Sequence, residues 1–280
     1  TSPINITIAG RITTQLHDNI ILRLEANANM LPKKPTYQDI LDFYKDAPKE
    51  ITKATQPFGY FKPHITSSLT KVHNLWHLSF TIQPGPRVII HTLQLRISGA
   101  GQSTKPYLHF IRKFPLQVGE PFNSNTFSNA VQHLLEISSH FGYFEAKIIK
   151  QRITINVTTN QATLLFYFNT GPRYRFGQIT FSKTNLSDMF LKRYVPFKIN
   201  QPYNDNKIQL LQQNLANAVY FQQVVVTPTT NKNRKHHIPI KIDLTERKTH
   251  QYNLGFGYGT DTGLRGIVNV DLLRLNKYGH

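Results

Sequence analysis

One short phrase, written three times, constrains this chain more than any other feature. Phe58-Gly-Tyr-Phe-Lys-Pro-His-Ile65 returns as Phe141-Gly-Tyr-Phe-Glu-Ala-Lys-Ile148 and, more loosely, as Ala218-Val-Tyr-Phe-Gln-Gln-Val-Val225. Two further phrases keep step with it. Pro84-Gly-Pro-Arg87 matches Thr170-Gly-Pro-Arg173, and Leu116-Gln-Val-Gly-Glu-Pro-Phe-Asn123 matches Phe197-Lys-Ile-Asn-Gln-Pro-Tyr-Asn204. Self-similarity of this kind means that one supersecondary unit is built repeatedly. The expected division is residues 1–87, 88–173 and 174–249, followed by a separate segment at 250–280.

Periodicity supplies the contents of a unit. Ile4, Ile6 and Ile8 alternate as a strand, as do Leu93, Leu95 and Ile97, and Ile179 and Phe181. Two helical segments follow each. In the first unit one spans Thr14–Ala26, with Leu16, Ile20 and Leu24 on one face, and the next starts at Thr36-Tyr-Gln-Asp39, a capping box with Asp in the Glu position. Pro48 is expected to end or kink that helix. Phe127, Val131, Leu134 and Leu135, capped by Asn123 or Ser124, and then Ile208, Leu211 and Leu215, form the equivalent stripes, read as core-facing. After each second helix the Gly-Tyr-Phe element turns the chain into a hairpin, as in Ala146–Val157 with Thr163–Asn169. The unit is therefore β-α-α-β-β, an α+β fold. If both helices cover one sheet face, the last strand runs parallel to the first and leaves the second strand at an edge.

The phrase pairs carry backbone information too. Gly119 aligns with Asn200, the two residue types that accept positive φ most readily, so one left-handed bend is expected twice. Gly59 and Gly142 mark the repeated turn, and Gly85-Pro86 and Gly171-Pro172 mark the unit junctions.

Beyond residue 250 the pattern changes. Tyr252, Leu254, Phe256 and Tyr258 fall on one face of an extended strand, and Gly255, Gly257 and Gly259 on the other. An ordinary soluble hairpin reads this way, and so does a transmembrane barrel strand, apolar outside and small inside. Gly255-Phe-Gly-Tyr-Gly-Thr-Asp-Thr-Gly-Leu-Arg265, with Asp261 and Gly263 at its turn, resembles the first barrel hairpin of outer-membrane assembly factors. The three preceding units resemble polypeptide-transport-associated (POTRA) domains. Three units before this hairpin are most similar to the outer-membrane subunit of the translocation and assembly module. The third unit departs from the pattern, with Ala218-Val219 for Phe-Gly and no Gly-Pro before Thr245-Glu-Arg-Lys248. A closed barrel needs at least about eight strands. The expectation is thus a chain cut short of its barrel, naturally or otherwise.

The resemblance implies the periplasmic arm of an outer-membrane assembly or translocation factor of a Gram-negative bacterium. Its implied partners are unfolded outer-membrane or autotransporter clients, an inner-membrane-anchored (TamB-like) partner that engages the first unit, and the outer membrane through the missing barrel. The scaffold's own chemistry points to strand addition, in which an exposed edge offers unpaired N–H and C=O groups to an extended client. The candidate edges are Pro63–Lys71, Ala146–Val157 and Gln222–Thr227, with Ile148, Lys150, Arg152, Ile153, Ile155, Val224 and Val226 as the candidate contacts. Lys147, Lys150 and Arg152 read either as gatekeepers against sheet growth or as simply solvated.

Charge keeps a rival open. Thirty-three Lys and Arg against fifteen Asp and Glu give +18, which attracts polyanions at long range. An electrostatic scaffold for an anionic surface, lipid or, against expectation, nucleic acid, is one alternative, and the POTRA arm of another outer-membrane transporter is the other. Arg173-Tyr-Arg-Phe176 could stack bases, but describes a half-buried strand equally well. No Gly-x-Ser-x-Gly elbow, phosphate-cradling loop or His-Glu-x-x-His helix occurs, and zero cysteines remove thiol chemistry. His236-His237 lies among Lys232, Arg234 and Lys235, so it reads as a polar turn and not as a metal site. Neither catalysis nor a cofactor is expected.

Overall fold

A computed structural model of the chain describes residues 4–229 and 235–247 in full, and 250–259 and 263–272 as backbone strands. Its compact units are two. One comprises Thr1–Ile97, Lys105–Leu134 and Ile148–Asn169, and the other Ser98–Thr104, Leu135–Lys147 and Thr170–His280.

In the first unit, β1 (Ile4–Ala9) leads through α1 (Thr14–Ala28) and α2 (Tyr37–Thr55) to the hairpin of β2 (His64–Val72) and β3 (Leu75–Gln83). The sheet order is β1-β3-β2, with β1 parallel and β2 antiparallel to β3, as the repeat logic requires. His73 and Asn74, both at positive φ, form the two-residue turn of the hairpin. Ile4, Ile8, Leu78, Phe80 and Ile82 meet Leu16, Ile20, Leu24, Ile40 and Ile51 in the core.

Thr36 caps α2 with the full capping box: its hydroxyl accepts the Asp39 N–H, and the Asp39 carboxylate accepts the Thr36 N–H at 2.7 Å. Pro48 does not end this helix, which continues to Thr55. A mid-helix proline costs about 3 kcal/mol. Ile40, Ala47, Ile51 and Ala54, buried on both sides of it, outweigh that cost at roughly 1.5–3 kcal/mol per large side chain.

The second repeat supplies β4 (Ile89–Ser98), α3 (Lys105–Arg112), α4 (Ser124–His140), β5 (Lys147–Asn156) and β6 (Gln161–Asn169), in sheet order β4-β6-β5. The Asn123 side chain caps α4, accepting the N–H groups of Asn125 and Thr126. Phe110, Phe114, Phe127, Phe166 and Phe168 form an edge-and-stack chain of rings.

The third repeat, wholly in the second unit, runs β7 (Arg175–Phe181), α5 (Asp188–Leu191), α6 (Asp205–Ala216), β8 (Phe221–Pro228) and β9 (His237–Glu246), in order β7-β9-β8. Its first helix is one turn of four residues, shorter than the repeat pattern implies, and α6 has 12 residues against 17 in α4. Phe176 stacks on Phe197 at 3.8 Å within a core that includes Ile208, Leu211, Leu215, Ile238 and Ile240.

β10 (His250–Gly259) and β11 (Gly263–Leu272) pair antiparallel. Gly255 lies opposite Ile267, Gly257 opposite Arg265 and Gly259 opposite Gly263, while Asp261 lies outside the described residues.

Candidate functional site: repeat joints and strand edges

The repeated phrases converge at the joints between repeats. At the first joint Gly59 sits at φ 88, and its carbonyl accepts the Val88 N–H at 2.8 Å. At the second, Gly142 sits at φ 81 and accepts the Tyr174 N–H, also at 2.8 Å. Each Gly-Pro-Arg arginine closes its joint. Arg87 Nε donates to the Phe58 carbonyl at 3.0 Å and lies over the Tyr60 ring. Arg173 Nε donates to the Phe141 carbonyl at 3.1 Å and lies over the Tyr143 ring. Gly85 and Gly171 turn the chain into these arginines at φ 76 and 65, and Pro86 and Pro172 hold the intervening turn.

The third phrase is part of the same joint. The Gly119 N–H donates to the Ile90 carbonyl, the Ile90 N–H to Glu120, and the Phe122 N–H to Val88. The Asn200 N–H donates to the Phe176 carbonyl, the Phe176 N–H to Gln201, and the Tyr203 N–H to Tyr174. The pattern is identical. The expected left-handed bends are present, with Gly119 at φ 90 and Asn200 at φ 67. The consequence is that the outer edge at the start of β4 and of β7 is covered by its own repeat. The aromatic ending each phrase also lies under the turn glycine: an added Cβ on Gly59 would be 2.5 Å from the Phe122 carbonyl oxygen, and one on Gly142 2.7 Å from Tyr203 Cβ.

A polar cluster completes the second joint. The Tyr174 hydroxyl donates to Glu145 at 2.6 Å, and this bond, with burial and the carboxylate charge, raises its pKa to about 12. Burial, then the charge of Asp205, raises that of Tyr203.

Repeat three lacks the Gly-Pro pair yet keeps the arginine. Arg247 donates from its backbone N–H to the Tyr220 carbonyl and from Nε to the Phe221 carbonyl, both at 2.8 Å. Sequence reasoning marked the glycines and prolines of these joints and passed over the arginines, although Arg87 and Arg173 stand in both copies of the phrase.

The candidate edges divide differently from expectation. β8 is an edge strand, but its outward groups at Val224 and Val226 are occupied. Gln212, on α6, donates its amide to the Val224 carbonyl at 2.8 Å and accepts the Val226 N–H at 3.2 Å. One side chain thus stands where a strand would pair, and Val224 itself is buried. No feature of the sequence flagged Gln212.

β2 and β5 are open. The two-residue turn makes Val72–Leu75 a hydrogen-bonded pair, so the backbone groups of Ser67, Leu69 and Lys71 point outward by alternation. Among the described residues nothing bonds the outer backbone of either strand. On β5, Ile148, Lys150 and Arg152 are exposed, whereas Ile153 and Ile155 are half-buried. Lys150 Nζ and the Arg96 guanidinium both lie over the Tyr167 ring, at 5.6 and 5.3 Å, and Tyr167 donates to Gln94. Among the described residues no group of His, Asp or Glu could hold a metal ion.

Comparison with known proteins supports this description. A family model described as POTRA domain TamA domain 1 matches residues 5–84. The POTRA model described as surface antigen variable number repeat matches 94–171 and again 174–247. The outer membrane protein assembly factor BamA of Buchnera aphidicola is 24% identical over 147 residues, 51% of this chain and 23% of that protein, so the chain spans less than a quarter of this relative's length. Among solved structures, POTRA3-5 of Haemophilus influenzae BamA is similar at 13% identity and TM-score 0.43, covering 86% of this chain and 94% of that one. CdiB from Acinetobacter baumannii is similar at 17% identity and TM-score 0.39, covering 84% of this chain and 43% of that one. With its repeated sequence phrases, its three β-α-α-β-β sheets and matches spanning residues 5–247, this chain belongs to the POTRA family.

Proposed function

We propose that this chain is the periplasmic arm of an outer-membrane assembly or translocation factor of the TamA type, and that it handles extended clients by strand addition at β2 and β5. The observation that carries this reading is the uneven treatment of the edges. β8 and the starts of β4 and β7 are closed by groups of their own repeat, whereas among the described residues nothing pairs the outer backbone of β2 and β5. Unpaired N–H and C=O groups bind an extended chain with little regard to its sequence, which suits a handler of unfolded outer-membrane or autotransporter clients. On the same reading β10–β11 opens a barrel in the outer membrane, and a TamB-like, inner-membrane-anchored protein engages the first repeat.

Proline tests the edge directly, because it removes one backbone donor. Ser67→Pro removes an outward N–H, which is tolerated where the donor faces solvent, together with the exposed Ser67 hydroxyl bond to Tyr44 at 2.8 Å. Thr66→Pro removes one bonded to β3. Ser67→Pro is expected to keep the fold while cross-linking of clients to β2 falls. Undiminished cross-linking with an intact fold would refute strand addition at that edge. Ile153 and Ile155 are poorer sites for this test, since their half-buried side chains tie any substitution to packing.

A second reading has one observation in its favour. Arg96 and Lys150 flank Tyr167 on the helix-free face of the second sheet, and together with Arg152 they make no ion pair among the described residues, leaving a positive surface for an anionic lipid headgroup. That contact should weaken steeply with salt, whereas strand addition should persist.

A further inference from the structure

We infer that the first repeat carries a second docking site, unrelated to the strand edges: a groove between α1 and α2 that takes a basic, amphipathic segment of a partner protein. The groove encloses about 380 Å³, within the ~300–1,000 Å³ range of binding pockets. Its floor is apolar, made by Leu24 and Ala47, which are buried, and by Leu31 and Phe43, which are half-buried.

Its walls invert the charge of the chain. The molecule as a whole has 33 basic to 15 acidic residues, yet the groove is lined by Asp39, Asp42, Asp46 and Glu50 against Lys49. Two of these acids are already committed. Glu50 is bound by Arg23 and Lys53, each at 2.7 Å, and Asp39 caps α2. Asp42 and Asp46, one turn apart and exposed, make no ion pair among the described residues, although Asp42 accepts a hydrogen bond from the Gln38 amide at 2.8 Å. The last turn of α1, which contributes Asn27, contains no basic residue, so the partial negative charge of that helix end adds to theirs.

Asp42 and Asp46, the two acids not committed elsewhere, stand about 6 Å apart along α2 at 1.5 Å per residue. A groove with an apolar floor beside two carboxylates that have no ion-pair partner among the described residues matches a peptide segment that buries an apolar side chain and sets Lys or Arg beside it. At 0.15 M salt the Debye length is about 8 Å. The field in the groove is then governed by these carboxylates and not by the distant +18.

The test uses the full chain and a rhodamine-labelled 14-residue peptide of Leu and Lys at helical spacing, with fluorescence anisotropy at 0.15 M NaCl. Saturable binding is expected, weakened at least tenfold in Asp42→Asn/Asp46→Asn and abolished in Asp42→Lys/Asp46→Lys. Ser67→Pro should leave it unchanged, which separates failure here from failure of strand addition. An unchanged Kd in both Asp42/Asp46 variants, with Trp76 fluorescence showing an intact first repeat, would overturn the inference. So would a concentration-dependent dimer of the unliganded chain that is lost in Asp42→Asn/Asp46→Asn, because the groove would then hold a second copy.

Discussion

Replacing Gly59 by alanine should weaken the first joint by more than backbone strain alone, and the excess can be worked out. At φ 88 an L-residue pays about 1–2 kcal/mol in the left-handed region. The new Cβ would also stand 2.5 Å from the Phe122 carbonyl oxygen, closer than the 3.0 Å that real Cβ contacts respect, so one must retreat by at least half an ångström. Phe122 is buried, and its backbone N–H is bound to Val88. The retreat therefore falls on the Val88–Gly59 and Phe122–Val88 hydrogen bonds, each worth about 0.5–1.5 kcal/mol. The sum is roughly 2–5 kcal/mol. With a urea dependence of about 2 kcal/mol per molar, the midpoint should fall by about 1–2.5 M. Trp76, the one tryptophan, lies in β3 and reports the first repeat by its fluorescence. Gly119→Ala is the control. It has the same positive φ but no atom within 4 Å of the added Cβ, so amide exchange around α4 should reveal the strain alone. Gly119→Asn should cost still less, since Asn200 adopts this bend in the equivalent place. Equal destabilisation by Gly59→Ala and Gly119→Ala would refute the argument that the Phe122 carbonyl is what Gly59 accommodates.

Two further outcomes are expected. Gln212→Leu should uncover the Val224 carbonyl and Val226 N–H without touching the buried face of α6, so the affinity of repeat three for an extended peptide should rise, by roughly five- to a hundredfold for two hydrogen bonds; sedimentation and cross-linking that show no gain would remove Gln212 as an edge closure. Glu50 is held at about pKa 2, against an ordinary 4.5, by its hydrogen bond to Lys53 and by Arg23, with burial opposing. Because the folded value is the lower one, its stabilisation is complete above pH 4.5 and is lost as pH falls toward 2. The stability gap between wild type and Glu50→Gln, followed by Trp76, should therefore be constant near neutrality and close in that window.

Much of the fold was legible because repetition multiplies a weak signal. A single Gly-Tyr-Phe says little, but three copies in step with helical stripes specify the order of elements, and the parallel first-to-last pairing of the first and third sheets follows from covering one face with two helices. Gly119 over Asn200 foretold the shared bend because only backbone tolerance distinguishes those residues from their neighbours. Pro48 does not end its helix, as one of the two expected outcomes had it, because propensity is local and the burial around it is not. The closure of β8 could not be read at all: Gln212 meets Val224 only when α6 lies along the strand. The acidic groove was hidden in the same way, since Asp42 and Asp46 are ordinary surface residues until α1 and the loop after it supply Leu24 and Leu31 beside them.

The joints have a consequence for how such chains change length. What each repeat asks of the next is a backbone N–H, a backbone carbonyl and room for one aromatic residue, and the arginine that closes the contact is supplied by the linker between them. A coupling so indifferent to side-chain identity is standardised, as a screw thread is. Gene duplication or deletion that respects the thread yields a chain whose joints are already correct, which is a physical reason for repeats of this kind to occur in variable number.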